Sequence, residues 1–191
     1  MDYGFFHEKI NPSDKKADLV IAYSMGCLDG IKEAISSQCP IILFSPFEHF
    51  CKSDDRRKTR LITLQVKQMI KNLDDSPEKV LSEFYHNASK PSDNNFPTYP
   101  QLNISPLKSG LEKLINEDIG ELLSELKTPA LIIAGKQDSI VDFRKSEIIS
   151  QKVLNSSLKL LESTGHAAII DSIGECKKEI DGFIDKNGQP I

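Results

Sequence analysis

The sequence predicts an α/β protein with a mostly parallel sheet and a helical insertion, and three observations carry that reading. Asp18-Leu-Val-Ile-Ala-Tyr-Ser-Met-Gly26 is a short apolar run that stops on a serine and passes straight into a helical pattern. Ile41-Ile-Leu-Phe-Ser-Pro46 and Thr128-Pro-Ala-Leu-Ile-Ile-Ala-Gly135 are apolar runs with little alternation, which suits strands covered on both faces. From Cys51 to Lys127, by contrast, no strand pattern occurs and apolar residues recur at helical spacing. The expected organisation is a discontinuous core, 1–51 and 128–191, interrupted by a helical lid over 52–127.

The chain of 191 residues is long enough to bury one sizeable core. Its 24 basic and 28 acidic residues leave a net charge of −4, which argues against bulk attraction to nucleic acid or to an anionic membrane. No apolar run approaches the roughly 20 residues needed to cross a bilayer, and Met1-Asp-Tyr-Gly-Phe-Phe-His-Glu lacks the basic and apolar blocks of a signal peptide. A cytoplasmic location is the expectation. Cys27, Cys39, Cys51 and Cys176 form no Cys-x-x-Cys pair and sit mostly beside apolar residues, so reduced, partly buried thiols are expected, with no metal site and no cofactor.

Residues 1–17 are the least regular stretch. After Ser24, the residues Met25, Leu28, Ile31, Ala34 and Ile35 predict a helix to about Ser36, ending before Pro40. Strand, helix and strand in that order make a crossover unit. In the insertion, Ile62, Val66, Met69, Ile70 and Leu73 form one helical stripe. Ser76-Pro77 opens a helix carrying Val80, Leu81, Phe84, Tyr85 and Ala88. Lys90 to Ser105 reads as a proline- and asparagine-rich loop. Ser105-Pro106 opens a third helix with Leu107, Leu111, Leu114 and Ile115, and Asp118 caps a fourth with Ile119, Leu122, Leu123 and Leu126. After the strand at 128–135, a helix through Ile148, Ile149 and Val153 leads to a last strand, Ser157–Glu162. Ser172 and Glu175 form a capping box for a terminal helix that turns Ile173, Cys176, Ile180, Phe183 and Ile184 inward.

Ser24, Asp138 and His166 therefore stand just past the carboxyl ends of three predicted strands. Ligands of open α/β sheets bind at that edge, so the three can converge although far apart in sequence. A serine hydroxyl is a poor nucleophile at neutral pH. A histidine that takes its proton, held in one tautomer by an aspartate, makes it competent for acyl transfer. Among the other histidines, His49 follows the second strand and is the rival base, whereas His7 and His86 fall at surface or helix positions.

Ala22-Tyr23-Ser24-Met25-Gly26, with Asp138 and His166 in that chain order, resembles the nucleophile elbow and triad of the α/β-hydrolases, with alanine at the first small position of Gly-x-Ser-x-Gly. The segment from Pro106 to Val141 resembles pimeloyl-ACP methyl ester esterases of biotin synthesis, although Ile119-Gly120 stands where that family often has Leu-Arg. The resemblance spans roughly residues 18 to 185. It implies a serine carboxylesterase that releases methanol from a methyl-protected acyl chain on acyl carrier protein, with Ser24 as nucleophile, Asp138 as orienter, His166 as base and the Met25 N–H as one oxyanion donor. It also implies strands before the elbow, one of them followed by the loop that supplies the second oxyanion donor. Asp2–Phe6 reads as the end of such a strand, which leaves the elbow strand as an edge.

Partner and substrate expectations follow from the same resemblance. Arg56, Arg57, Lys58 and Arg60 form a basic cluster at the start of the first lid helix, with Lys67 and Lys71 further along it, suited to an acidic carrier protein. Asp54 and Asp55 lie beside that cluster. Tyr23, Phe47, Phe84 and Tyr85 are candidates to line an acyl channel, with core packing the competing role for the aromatics. Two other readings remain open: a thioesterase or general short-chain esterase with the same triad, and a non-catalytic binding protein on the same fold that lacks the oxyanion loop.

Overall fold

The computed structural model describes residues 16–92 and 102–187. The expected strand end at Asp2–Phe6, the middle of the proline-rich loop and the last residues of the tail lie outside them. Four strands, β1 (Val20–Tyr23), β2 (Ile41–Phe44), β3 (Ala130–Gly135) and β4 (Ser156–Leu161), form one parallel sheet in the order β1-β2-β3-β4. Sequence order equals spatial order, so the sheet grows in one direction and β1 is its edge among the described residues.

Both faces of the sheet are covered, and alternation decides which residue goes where. Val20, Ala22, Ile41, Leu43, Ala130 and Ile132 face helix α1 (Gly26–Ser37) and Ile149 of α5 (Arg144–Lys152) in the larger core cluster. Ile42, Phe44, Leu131, Ile133 and Leu161 face Ala168 of α6 (Ala168–Asp171) and Cys176 and Phe183 of α7 (Ile173–Asn187). The central strands β2 and β3 are buried at every position, which is why their sequences read as unbroken apolar runs. On the edge strand Val20 and Ala22 are buried, whereas Ile21 and Tyr23 are exposed. The four cysteines are free thiols and all are buried.

Strand β1 and helix α1 pass very close together. A Cβ on Gly30 would lie 2.6 Å from the Cβ of Ala22. The alanine that replaces the first glycine of the elbow pattern is thus accommodated by a glycine eight residues later. Gly30→Ala should gain about 1 kcal/mol of helix propensity but lose more, about 1–3 kcal/mol, to overpacking. A lower denaturant midpoint in the variant is the expected net result, and a higher one would show that the contact is loose.

The helices α2 (Arg56–Asp75), α3 (Pro77–Ser89) and α4 (Ile104–Asn116) pack on one another, with α2 touching both of the others. Asp55 caps α2 by accepting the Arg57 amide at 2.7 Å. Pro77 occupies the first turn of α3, while Ser76 makes no side-chain cap bond. Helix α4 begins at Ile104, so Ser105 and Pro106 sit inside its first turn. Lys113 and Glu117 pair with Asp29 and Lys32, fastening the end of α4 to α1. No helix among the described residues is long and apolar enough to cross a membrane.

Three expectations are corrected. The fourth helix is a single 3₁₀ turn, Leu122–Glu125. The Ile119 amide donates to Glu48 O at 3.0 Å and the Gly120 amide to the Asp118 carboxylate at 2.9 Å, so the chain there is committed to other partners. Ile119, Leu123 and Leu126 consequently belong to the core beneath α1 and α5. In the terminal helix, Ser172 does not close a capping box; its hydroxyl bonds Thr164 at 2.6 Å. Ile173 and Ile184 of α7 are exposed at 67% and 41%, leaving Cys176, Ile180 and Phe183 as the inward positions.

Candidate active site

Ser24 is at the tip of the turn between β1 and α1, with φ 52°, in the left-handed region. A non-glycine residue there costs on the order of 1–3 kcal/mol and persists only where its surroundings hold it. Here the Ser24 amide donates to Phe44 O at 2.8 Å and the Ser24 carbonyl accepts from the Cys27 amide at 2.9 Å. Met25 has helical angles and opens α1, so its N–H belongs to the positive end of the helix. The strand-turn-helix expected from the sequence is therefore present, with the serine hydroxyl at its crest.

Asp138 and His166 come to the same place from the ends of β3 and β4. The Asp138 Oδ1 accepts the amides of Ile140 and Val141, both at 2.8 Å, and Oδ2 lies 2.8 Å from His166 Nδ1. His166 Nε2 lies 3.1 Å from Ser24 Oγ. Both side chains of the Asp-His pair are 1% exposed. Because a carboxylate only accepts, the Nδ1–H donates to Asp138 and the Nε2 lone pair faces the serine hydroxyl. A hydroxyl, a base and an orienting carboxylate so arranged can carry acyl transfer.

The loops that hold them are locked by backbone contacts. The Gln137 amide donates to Thr164 O at 2.9 Å, joining the Asp138 and His166 loops directly. A Cβ on Gly135 would lie 2.2 Å from Thr164 O, so only glycine lets the end of β3 pass. The last turn of α3 touches both loops: Ser139 Oγ donates to Asn87 O at 2.9 Å, and Gly165 packs against the Lys90 carbonyl. None of these pairings has a signature in sequence spacing.

The other predicted site residues are distributed as follows. Phe84 and Tyr85 of α3, 5.7 Å apart between ring centres, line a large open cleft that also contains Ser24 and His166. Leu107, Leu111 and Leu114 of α4 and Met69 of α2 extend its apolar wall. Phe47 does not line it. That ring is 1% exposed in the core, edge-on to Phe50, and Phe50 borders the cleft instead. Tyr23 lines the cleft but also touches His166 directly, with 4.9 Å between ring centres and its hydroxyl donating to His166 O at 3.2 Å. His49, the rival base, points its Nδ1 at the Lys52 amide, 3.1 Å away, and burial lowers its pKa.

In the basic cluster, Arg56, Arg57 and Arg60 are exposed. Lys58 is committed to Asp142 at 3.3 Å, a carboxylate also held by Arg144, whose hydrogen bonds bring its pKa down to about 2. Lys145 donates to the carbonyls of His49 and Lys52 at 2.9 and 2.7 Å and clips the loop before α2 to the core. Its burial lowers the ammonium pKa. No metal-binding cluster of His, Cys, Asp or Glu occurs among the described residues.

No family model matches the chain. Monoacylglycerol lipase ABHD6 of Mus musculus is 29% identical over 76 residues, which is 38% of this chain and 23% of that protein. The Homo sapiens protein of the same name is 29% identical over 62 residues, or 32% and 18% of the two chains. The matched part is thus less than a quarter of these curated relatives. Among solved structures, an esterase from Exiguobacterium antarcticum superposes with a TM-score of 0.73 at 16% identity, covering 86% of this chain and 65% of that one. A hydrolase from Oleispira antarctica gives 0.74 at 16%, covering 88% and 65%. An α/β-hydrolase enzyme from a Medee basin deep-sea metagenome library gives 0.66 at 11%, covering 92% and 68%. The fold shared with these structures is the α/β-hydrolase fold.

Proposed function

We propose, taking the α/β-hydrolase fold as premise, that this chain is a serine carboxylesterase that cleaves an acyl ester through Ser24, His166 and Asp138. The observation that carries the proposal is the unbroken hydrogen-bond line from Ser24 Oγ through the imidazole to a buried carboxylate, 3.1 and 2.8 Å long. In the reaction, Ser24 Oγ attacks the ester carbonyl as His166 Nε2 takes its proton. The developing oxyanion meets the Met25 N–H, and Asp138 stabilises the imidazolium. Collapse expels the alcohol, which leaves with the proton from Nε2, and water activated by the same nitrogen releases the acid. The chemistry draws on water and the three side chains and needs no cofactor.

For the substrate, we favour an acyl chain whose tail lies along α2, α3 and α4, which act as a lid. Leu107, Leu111, Leu114, Phe84 and Tyr85 supply apolar lining to the cleft that contains Ser24. A pimeloyl-ACP methyl ester fits this reading, the acidic carrier meeting Arg56, Arg57 and Arg60 in the cytoplasm. The alternative of a monoacylglycerol or general short-chain ester draws on the likeness to the lipase. A panel of nitrophenyl esters, free methyl esters, a monoacylglycerol and an acyl-ACP methyl ester separates them. The carrier-bound ester should be hydrolysed fastest, and charge reversal at Arg56, Arg57 and Arg60 should remove its advantage. Equal turnover of free and carrier-bound methyl esters would overturn the carrier reading and leave the esterase reading intact.

A further inference from the structure

Tyr23 immediately precedes the nucleophile candidate on β1. Alternation along the strand sends Val20 and Ala22 to the α1 side and leaves Tyr23 on the opposite side, 39% exposed. Its ring lies 4.9 Å from the imidazole of His166, tilted by 40°, and its hydroxyl donates to the His166 carbonyl at 3.2 Å. Burial raises the phenol pKa well above its ordinary value, with the charges of Asp138, Cys27 and Asp171 adding to it, so the hydroxyl stays a donor. Both imidazole nitrogens are already committed, to Asp138 and Ser24. What Tyr23 contacts is the ring itself, in a tilted arrangement, and the backbone that carries it.

We infer that Tyr23 is a positioning residue for His166: its tilted ring packs against the imidazole while its hydroxyl ties down the histidine's carbonyl. Tyr23 and Ser24 are consecutive residues on one strand end. The side chain that fixes the base is therefore rigidly joined to the group the base must serve. Displacements of about 1 Å in such a pair cost on the order of 100-fold in rate. This role rests on the reading of Ser24 and His166 as nucleophile and base, and differs from lining an acyl channel.

The test compares the full chain with Tyr23→Phe and Tyr23→Leu. Diisopropyl fluorophosphate is titrated to separate reversible affinity from the rate constant of phosphorylation, and proton NMR follows the His166 Nδ1–H. Tyr23→Phe loses one hydrogen bond and should slow the rate constant about 10-fold with unchanged affinity. Tyr23→Leu should slow it about 100-fold and expose the Nδ1 proton to solvent exchange. A change in affinity alone, or an unchanged rate constant and proton signal in Tyr23→Leu, would overturn the inference. So would rate losses that merely follow the unfolded fraction in a thermal melt. If Tyr23→Leu does not fold, Tyr23→Phe decides. If the wild type does not react, the Nδ1 proton still decides: its persistence in Tyr23→Leu overturns the positioning role, and its loss locates the failure in the Ser24 reading.

Discussion

Replacing His166 with alanine is expected to slow acylation of Ser24 by on the order of a million-fold while the chain remains folded. The size follows from the absence, among the described residues, of a substitute base in contact with the hydroxyl. His49, which also borders the cleft, has its Nδ1 engaged by the Lys52 amide, and the Lys145 ammonium is spent on two carbonyls. Without Nε2, the serine keeps its proton at neutral pH and attack becomes that of a neutral alcohol. The fold should tolerate the change because Gln137, Thr164 and Ser172 hold the His166 loop through contacts that do not involve the imidazole. Burst-phase labelling with a nitrophenyl ester, alongside a thermal melt, measures both. A residual rate within about 100-fold of wild type would mean that another group serves as base.

Asp138→Asn should lower turnover by roughly 10,000-fold, for a reason the hydrogen bonds make explicit. Asp138 Oδ1 accepts two amides, from Ile140 and Val141, at 2.8 Å each. An asparagine keeps its carbonyl oxygen on those donors and turns its NH₂ toward His166 Nδ1. That nitrogen must then accept, so the ring proton moves to Nε2 and faces Ser24 as a donor. Ser24 and the loop would remain in place, but His166 would present an N–H where the proposed mechanism needs a lone pair. The opposite flip would set an NH₂ against two amide donors and is costlier. The expected readout is an intact thermal melt with lost turnover. A loss of turnover matched by a loss of fold would instead make Asp138 a loop cap.

The parts of this arrangement that were legible in sequence are those written in local patterns. Apolar runs at 20–23, 41–44 and 130–135 become strands because a doubly covered parallel sheet needs little else. Ser24, Asp138 and His166 could be singled out because each follows a strand end, and strand ends in a parallel sheet share one edge. Tyr23 with His166 and Ser139 with Asn87, 143 and 52 residues apart, are matched by packing, which leaves no period in the chain. The Ala22–Gly30 contact is half visible in sequence: the alanine departs from the elbow pattern, but nothing in the helical stretch marks Gly30 as its partner. Phe47 was ambiguous because an aromatic beside a strand end can turn to core or cleft with the same sequence. The helix expected after Asp118 is a single 3₁₀ turn because helical spacing at Ile119, Leu123 and Leu126 also suits a short turn pinned to a core, and Asp118 and Glu48 take the amides that would start a helix.

The most direct measurement is labelling of the full chain with a fluorophosphonate probe, followed by mass spectrometry to locate the adduct and repeated on Ser24→Ala. An assembled elbow with a working base predicts a single adduct on Ser24, absent from the alanine variant. A folded wild type that takes up no probe, or one labelled equally well after Ser24→Ala, would contradict the assignment of Ser24 as the nucleophile.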